Sequence, residues 1–156
     1  MKILFVCSSN VCRSPYCEFV FGRLLEADEV LKGKVEVDSA AVLNHSERLH
    51  PKSRQALLNE GFTAEELDAF RPKHIREAGA AFEAADMIIG MTRWHKWLLK
   101  KEWKRKFETL SEAATGKYAA IPDPFLARNQ SSYDSAMKVI KDYLVKFAEK
   151  LKEKLR

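Results

Sequence analysis

The chain opens with KILFV at 2–6, a short unbroken run of apolar, β-branched and aromatic side chains after one lysine, the pattern of a strand buried on both faces. A turn follows. Apolar residues at 17, 20, 21, 24 and 25 then recur at helical spacing, with Ser14 placed as an N-cap and Pro15 as the first helical residue. KVEVDSA at 34–40 reads as a second strand, and a helix is predicted from Pro51 to Glu60, stopped by Gly61. A short helix near 73–79 is predicted before a third strand, DMIIGM at 86–91. The segment 92–103 carries Trp94, Trp97, Leu98 and Trp103 and reads as helical, its aromatic residues packed in the core or against a partner. FETL at 107–110 gives a fourth strand, and from Ser131 the spacing of Ala136, Val139, Ile140, Tyr143, Leu144, Phe147 and Leu151 predicts a long amphipathic helix. Strands alternating with helices imply an α/β three-layer sandwich, a four-stranded parallel sheet with helices on both faces. In such sheets ligands bind beyond the carboxyl ends of the strands.

Composition narrows this picture. At 156 residues the chain fits one domain, residues 1–156, burying roughly two-thirds of its unfolded surface. With 46% apolar and 31% charged residues it is neither disordered nor membrane-like, and the apolar run Ile3 to Cys7 is too short for a signal core or a membrane span. Three cysteines confined to residues 7–17 are not a disulfide framework, so reduced thiols and a cytoplasmic location are expected. The net charge of +5 owes much to KKEWKRK at 100–106 and to the terminal KEKLR, which read as solvated helix faces. No nucleic-acid motif accompanies them. The partners expected are a small or protein-borne anionic substrate, not nucleic acid or membrane, for a monomer or a weak dimer joined through 94–103.

The first strand runs into VCSSNVCRSPY, residues 6–16. Cys7 and Arg13 bracket five residues, and a helix starts immediately afterwards. A loop wrapped on itself there would aim backbone N–H groups and the positive helix end at one point, an anion site suited to phosphate. Arg13 adds a planar fork that holds two oxygens at once. The same field favours a thiolate, so Cys7 is expected to have a depressed pKa and to act as a nucleophile. This chemistry calls for neither metal nor cofactor.

VCSSNVCRSP, together with VDSA at 37–40 and IPDPF at 121–125, resembles the low-molecular-weight protein tyrosine phosphatases, and the similarity spans nearly the whole chain. The resemblance implies hydrolysis of phosphotyrosine or aryl phosphate through a cysteinyl-phosphate intermediate. Cys7 is then the nucleophile, Arg13 and the loop residues Ser8, Ser9, Asn10, Val11, Cys12 and Ser14 hold the phosphate, and Asp123 is the general acid and base. It further implies a left-handed backbone at Asn10, tied to Ser14 and Ser39, with Asp68 where relatives carry a histidine of that network. His45 and Phe125 take the places of the rings that line the substrate slot; the alternative for His45 is an exposed loop residue.

Several departures matter. Ser9 replaces a glycine, at about 1 kcal/mol of strain if the position needs positive φ, which leaves open a phosphotyrosine-binding module of weakened activity. Phe125 and Leu126 lack the hydroxyls through which relatives are regulated. Cys12 is either a redox partner of Cys7, as in the family, or a buried small hydrophobe. Cys17 belongs to the apolar stripe of the first helix. Related protein-arginine phosphatases favour Thr where this chain has Val11, and arsenate reductases on the same scaffold need late cysteines, which are absent after Cys17.

Overall fold

The computed structural model describes residues 1–156. Strand β1 (Lys2–Cys7) lies between β2 (Glu36–Ala41) and β3 (Met87–Gly90), with β4 (Phe107–Thr109) outside β3, and every pairing is parallel. The helices are α1 (Arg13–Ala27), α2 (Pro51–Asn59), α3 (Ala64–Ala69), α4 (Gly79–Ala84), α5 (Lys101–Lys104), α6 (Leu110–Thr115) and α7 (Gln130–Leu155), with 3₁₀ turns at Arg93–Leu98 and Pro124–Leu126. This is the α/β architecture expected from the alternating pattern.

Alternation along β1 sorts its side chains between two layers. Ile3, Phe5 and Cys7 face a large core shared with α1, α6 and α7, while Leu4 and Val6 face a smaller one containing Phe82 and Trp103. Phe5 meets Phe21 edge to face at 5.6 Å, and Phe21 stacks on Phe147 at 5.2 Å, which joins strand, first helix and last helix. Each such ring contributes about 1.5–3 kcal/mol by burial alone. In the smaller layer Phe82 stacks on Trp103 at 4.8 Å. Gly90 is required by close approach, since a Cβ there would sit 2.5 Å from the Phe107 ring of the adjacent strand. Register places Cys7 beside Ala41, and Val6 between Ala40 and Gly90, so three strand ends open on one side.

Four expectations about elements are corrected. Helix α1 begins at Arg13 with Cys12 in the cap position, and Ser14 is buried inside its first turn because its hydroxyl is committed to the loop before it. Residues 73–75 are not helical. Lys73 and Ile75 exchange backbone bonds with Ala41 (2.6 and 2.8 Å), and the helix starts only at Gly79. The tryptophan segment is broken at Leu99 and Lys100 into a 3₁₀ turn and the short α5, so Trp103 is buried while Trp94 and Trp97 are exposed. Val139 lies on the solvent side of α7. Two short helices went unread: α3, begun by a reciprocal Thr63–Glu66 capping box, and α6, capped by Thr109. No helix is long and apolar enough to cross a membrane.

Candidate active site

Residues 8–12 connect the central strand to the N-terminus of α1, and their shape is set by Asn10. It is the single non-glycine residue with positive φ (57°), a conformation asparagine tolerates better than most. Its buried side chain is fully used. The amide nitrogen donates to Ser14 Oγ at 2.8 Å and Ser39 Oγ at 2.9 Å, and Oδ1 accepts from the Lys73 backbone N–H at 3.0 Å. Ser39 Oγ in turn donates to Glu18 Oε1 at 2.7 Å. Burial pushes the Glu18 carboxyl upward, with the Ser39 hydroxyl acting in the opposite direction. Ser14 Oγ lies 3.0 Å from Cys7 Sγ, so the brace ends on the thiol. The Asn10 and Ser14 side chains, expected among the phosphate ligands, turn into the fold and support the loop from behind. Asp68 has no part in this network: it is exposed on α3 and paired with Arg54 at 3.0 Å, and the Lys73 amide takes the place foreseen for it.

In front of the loop is a cavity of about 310 Å³. Cys7, Cys12 and Arg13, all almost fully buried, lie deepest in its lining; Ser8, Ser9 and Val11 of the loop, Asp123 and Phe125 of the acid segment, and Leu43, Asn44 and Ser46 complete it. Arg13 donates from Nη1 to the Ile121 carbonyl at 2.8 Å, and Nη2 stands 3.6 Å from Asp123 Oδ2. Its Nε, also buried, has no partner in the protein. A buried guanidinium N–H without an acceptor is a costly arrangement.

The acid segment is built differently. Asp123 Oδ1 accepts from the Phe125 N–H at 3.0 Å and caps the 3₁₀ turn, which leaves Oδ2 toward Arg13. The Asp123 side chain is half exposed. Phe125 rests edge-on against His50 at 5.3 Å, and His50 Nδ1 caps α2 by accepting from the Lys52 N–H. Lys52 Nζ donates to the Ala127 carbonyl, and the Lys52 carbonyl accepts from Gln130 Nε2 at 2.9 Å. The start of α2 therefore clips the acid segment in place.

His45 is corrected. It is an exposed residue bonded to Glu77 at 2.7 Å, outside the cavity, because the loop turns Leu43, Asn44 and Ser46 inward instead. Ser9 does not have positive φ, so the strain expected of a serine in a glycine position does not arise. Its hydroxyl accepts from Asn44 Nδ2 at 2.9 Å. Burial pushes the Cys12 thiol up to about 12, and Cys17 is wholly buried in the core.

Sequence reasoning missed His95. The Thr92 N–H donates to Nδ1 at 3.3 Å, so the ring proton belongs on Nε2, which lies 3.3 Å from Ser8 Oγ. Burial, then the Arg13 guanidinium, pushes this imidazole down to about 4. Its one sequence signal was the three-residue spacing from Thr92. No group of three or more His, Cys, Asp or Glu side chains converges as a metal site.

A thiol and a guanidinium at the bottom of a loop between a parallel strand and a helix N-terminus, with a carboxylate opposite, define a cysteine-dependent phosphoryl-transfer site. Comparison sharpens the class: residues 2–156 match the family described as low molecular weight phosphotyrosine protein phosphatase, and the chain belongs to that family of phosphoric monoester hydrolases. Among its relatives, a protein-arginine-phosphatase of Bacillus subtilis is 28% identical over 160 residues, covering 100% of both chains. The low molecular weight protein-tyrosine-phosphatase PtpB of Staphylococcus epidermidis is 33% identical over 133 residues, covering 80% of this chain and 81% of that one. The crystal structure of a YwlE mutant from Bacillus subtilis superimposes with a TM-score of 0.84 at 29% identity, covering 97% of this chain and 99% of the other.

Proposed function

We propose that this chain, working as one domain in the cytoplasm, hydrolyses phosphotyrosine and other aryl phosphate monoesters. The observation that carries the reading is the buried Arg13, which lines the same cavity as Cys7 and Asp123 and keeps an Nε without a protein partner. The phosphate dianion enters the loop and is held by Arg13 and the loop amides, which are fixed before it arrives and so stabilise the transferring phosphoryl group without reorganisation. Cys7 Sγ attacks phosphorus, the S–P bond forms as the P–O bond to the phenol breaks, and Asp123 gives its proton to the departing oxygen. Asp123 then takes a proton from water, which attacks phosphorus, releases inorganic phosphate and returns Sγ under the Ser14 hydroxyl. Phe125 and Leu43 supply apolar walls for the substrate ring.

A second reading, phosphoarginine hydrolysis, is favoured by the full-length likeness to a protein named for that activity. Against it, Val11 offers the cavity an apolar side chain with no hydroxyl for a polar leaving group. The two are separated by comparing kcat/KM for p-nitrophenyl phosphate, a phosphotyrosine peptide and a phosphoarginine peptide in wild type and Cys7→Ser, with chelator present. The proposal expects aryl phosphate turnover that falls by more than about 10⁴-fold in Cys7→Ser. Turnover retained by Cys7→Ser overturns the mechanism, and phosphoarginine as the preferred substrate overturns the aryl assignment.

A further inference from the structure

Residues 93–106, RWHKWLLKKEWKRK, hold seven of the chain's lysines and arginines and a single acid, Glu102, a balance of +6 against +5 for the whole chain. The remaining residues thus sum to −1. Two of its seven cations are held by oxygen partners: Arg93 pairs with Glu112, and Lys106 donates to the carbonyls of Phe82 and Glu83. Lys96, Lys100, Lys101, Lys104 and Arg105 have no carboxylate within ion-pair distance.

The aromatic residues give this charge a specific form. In the 3₁₀ turn Trp94 and Trp97, three apart, lie on the same side. Trp97 is 72% exposed and Trp94 44%, whereas Trp103 is buried and anchors the segment through its indole N–H to Glu83 at 2.9 Å. Lys104 Nζ stands over the exposed Trp97 ring at 5.3 Å, and Lys100 Nζ over the buried Trp103 at 4.9 Å. None of these residues lines the catalytic cavity, so the surface is separate from the active site.

We infer that the 93–106 connection docks the protein peripherally on an anionic phospholipid surface, with Trp97 and Trp94 at headgroup depth and Lys96, Lys100, Lys101, Lys104 and Arg105 on the lipid phosphates. Indoles are amphipathic and settle where an apolar body and a polar tip are both satisfied, at the bilayer interface. The cations without a carboxylate partner are four lysines, point charges on flexible stems that suit a diffuse anionic plane better than base edges, and one arginine, whose fork binds phosphate. This departs from the expectation of solvated helix faces and no membrane partner. The break at Leu99–Lys100 turns two tryptophans out beside the lysines, and a continuous buried helix would not. The docking does not depend on which phosphomonoester the active site takes.

The test is sedimentation of the intact protein with vesicles of phosphatidylcholine alone or with about one-third phosphatidylglycerol, alongside tryptophan emission. Expected are binding to the anionic vesicles only, a blue shift of emission, and release at about 0.5 M salt. At about fivefold per lysine, Lys96→Gln/Lys101→Gln/Lys104→Gln should weaken partitioning about 100-fold. Trp97→Ser should reduce both binding and blue shift. Both variants should keep wild-type turnover of soluble p-nitrophenyl phosphate, which reports an intact fold. If the triple variant does not fold, the salt titration and Trp97→Ser decide. Absence of binding to anionic vesicles, equal binding to neutral ones, or binding unchanged by these substitutions overturns the proposal. So does binding of polyglutamate or single-stranded DNA that anionic vesicles fail to compete, which would reassign the surface to an acidic protein or a nucleic acid.

Discussion

The two sides of the catalytic cleft are built by opposite means. On the nucleophile side Cys7, Asn10, Arg13 and Ser14 are all almost fully buried, and every polar atom of the Asn10 side chain has a protein partner. On the acid side the Asp123 side chain is half exposed, Phe125 is 55% and Leu126 85% exposed, and the segment is held mainly by what reaches it from the start of α2. A cradle for a fixed tetrahedral charge gains from rigidity, because donors already in place need no reorganisation. A wall that must meet leaving groups of different shapes gains from being lightly held. The difference predicts that damage to the supports of the first side shows as lost stability together with lost turnover, and damage to the second as lost turnover alone.

After loss of the nucleophile itself, the largest effect is expected at Asp123. Asp123→Asn should slow aryl phosphates with poor leaving groups by about 10²–10⁴-fold and those with good leaving groups much less, with little change in thermal stability. A uniform loss across leaving groups in a kcat/KM series would break the comparison. Asn10→Ala should instead cost about 3 kcal/mol of stability, from orphaned buried partners and an alanine forced to positive φ, and should depress turnover of all substrates alike; urea denaturation measures the first.

His95 supplies a pH test of the rigid side. Its folded value of about 4 lies below the ordinary 6.5, so as pH falls the unfolded chain takes the proton first. The contribution is therefore complete above pH 6.5 and is lost as pH falls toward 4, by up to roughly 3 kcal/mol. Urea midpoints measured across this range should fall in wild type and flatten in His95→Gln. The smallest effect is expected at the clip. Lys52→Met should lower turnover of poor leaving groups about tenfold, a loss of roughly 1.4 kcal/mol in the transition state, leave stability almost unchanged, and be rescued by Lys52→Arg.

What was legible in the chain follows the same divide. Cys7, Arg13 and the turn at Asn10 lie within seven residues of one another, so local spacing and the strand-to-helix change exposed them. Asp123 was reached through a short Asp-Pro motif and the family resemblance. The neighbours that hold these groups were not legible. Asn44 on Ser9, His95 on Ser8, Lys73 on Asn10 and Lys52 on Ala127 are separated from their partners by 35, 87, 63 and 75 residues, and no periodicity carries that information. His45 was misplaced for the same reason: position in an aligned loop does not say which of several adjacent side chains turns inward.

By itself, then, the sequence determined the parallel α/β architecture, the central strand and the oxyanion loop, because these depend on burial periodicity and on contacts within one turn of chain. Tertiary structure alone decided that Ser9 sits without positive φ, that Ser14 lies inside the helix and does not cap it, and that His95 is buried under the loop, where its imidazole is pushed down. It also decided which tryptophans of the 93–106 connection are buried. Each of these outcomes is set by what another part of the chain places against the residue, a property of packing that local pattern does not contain.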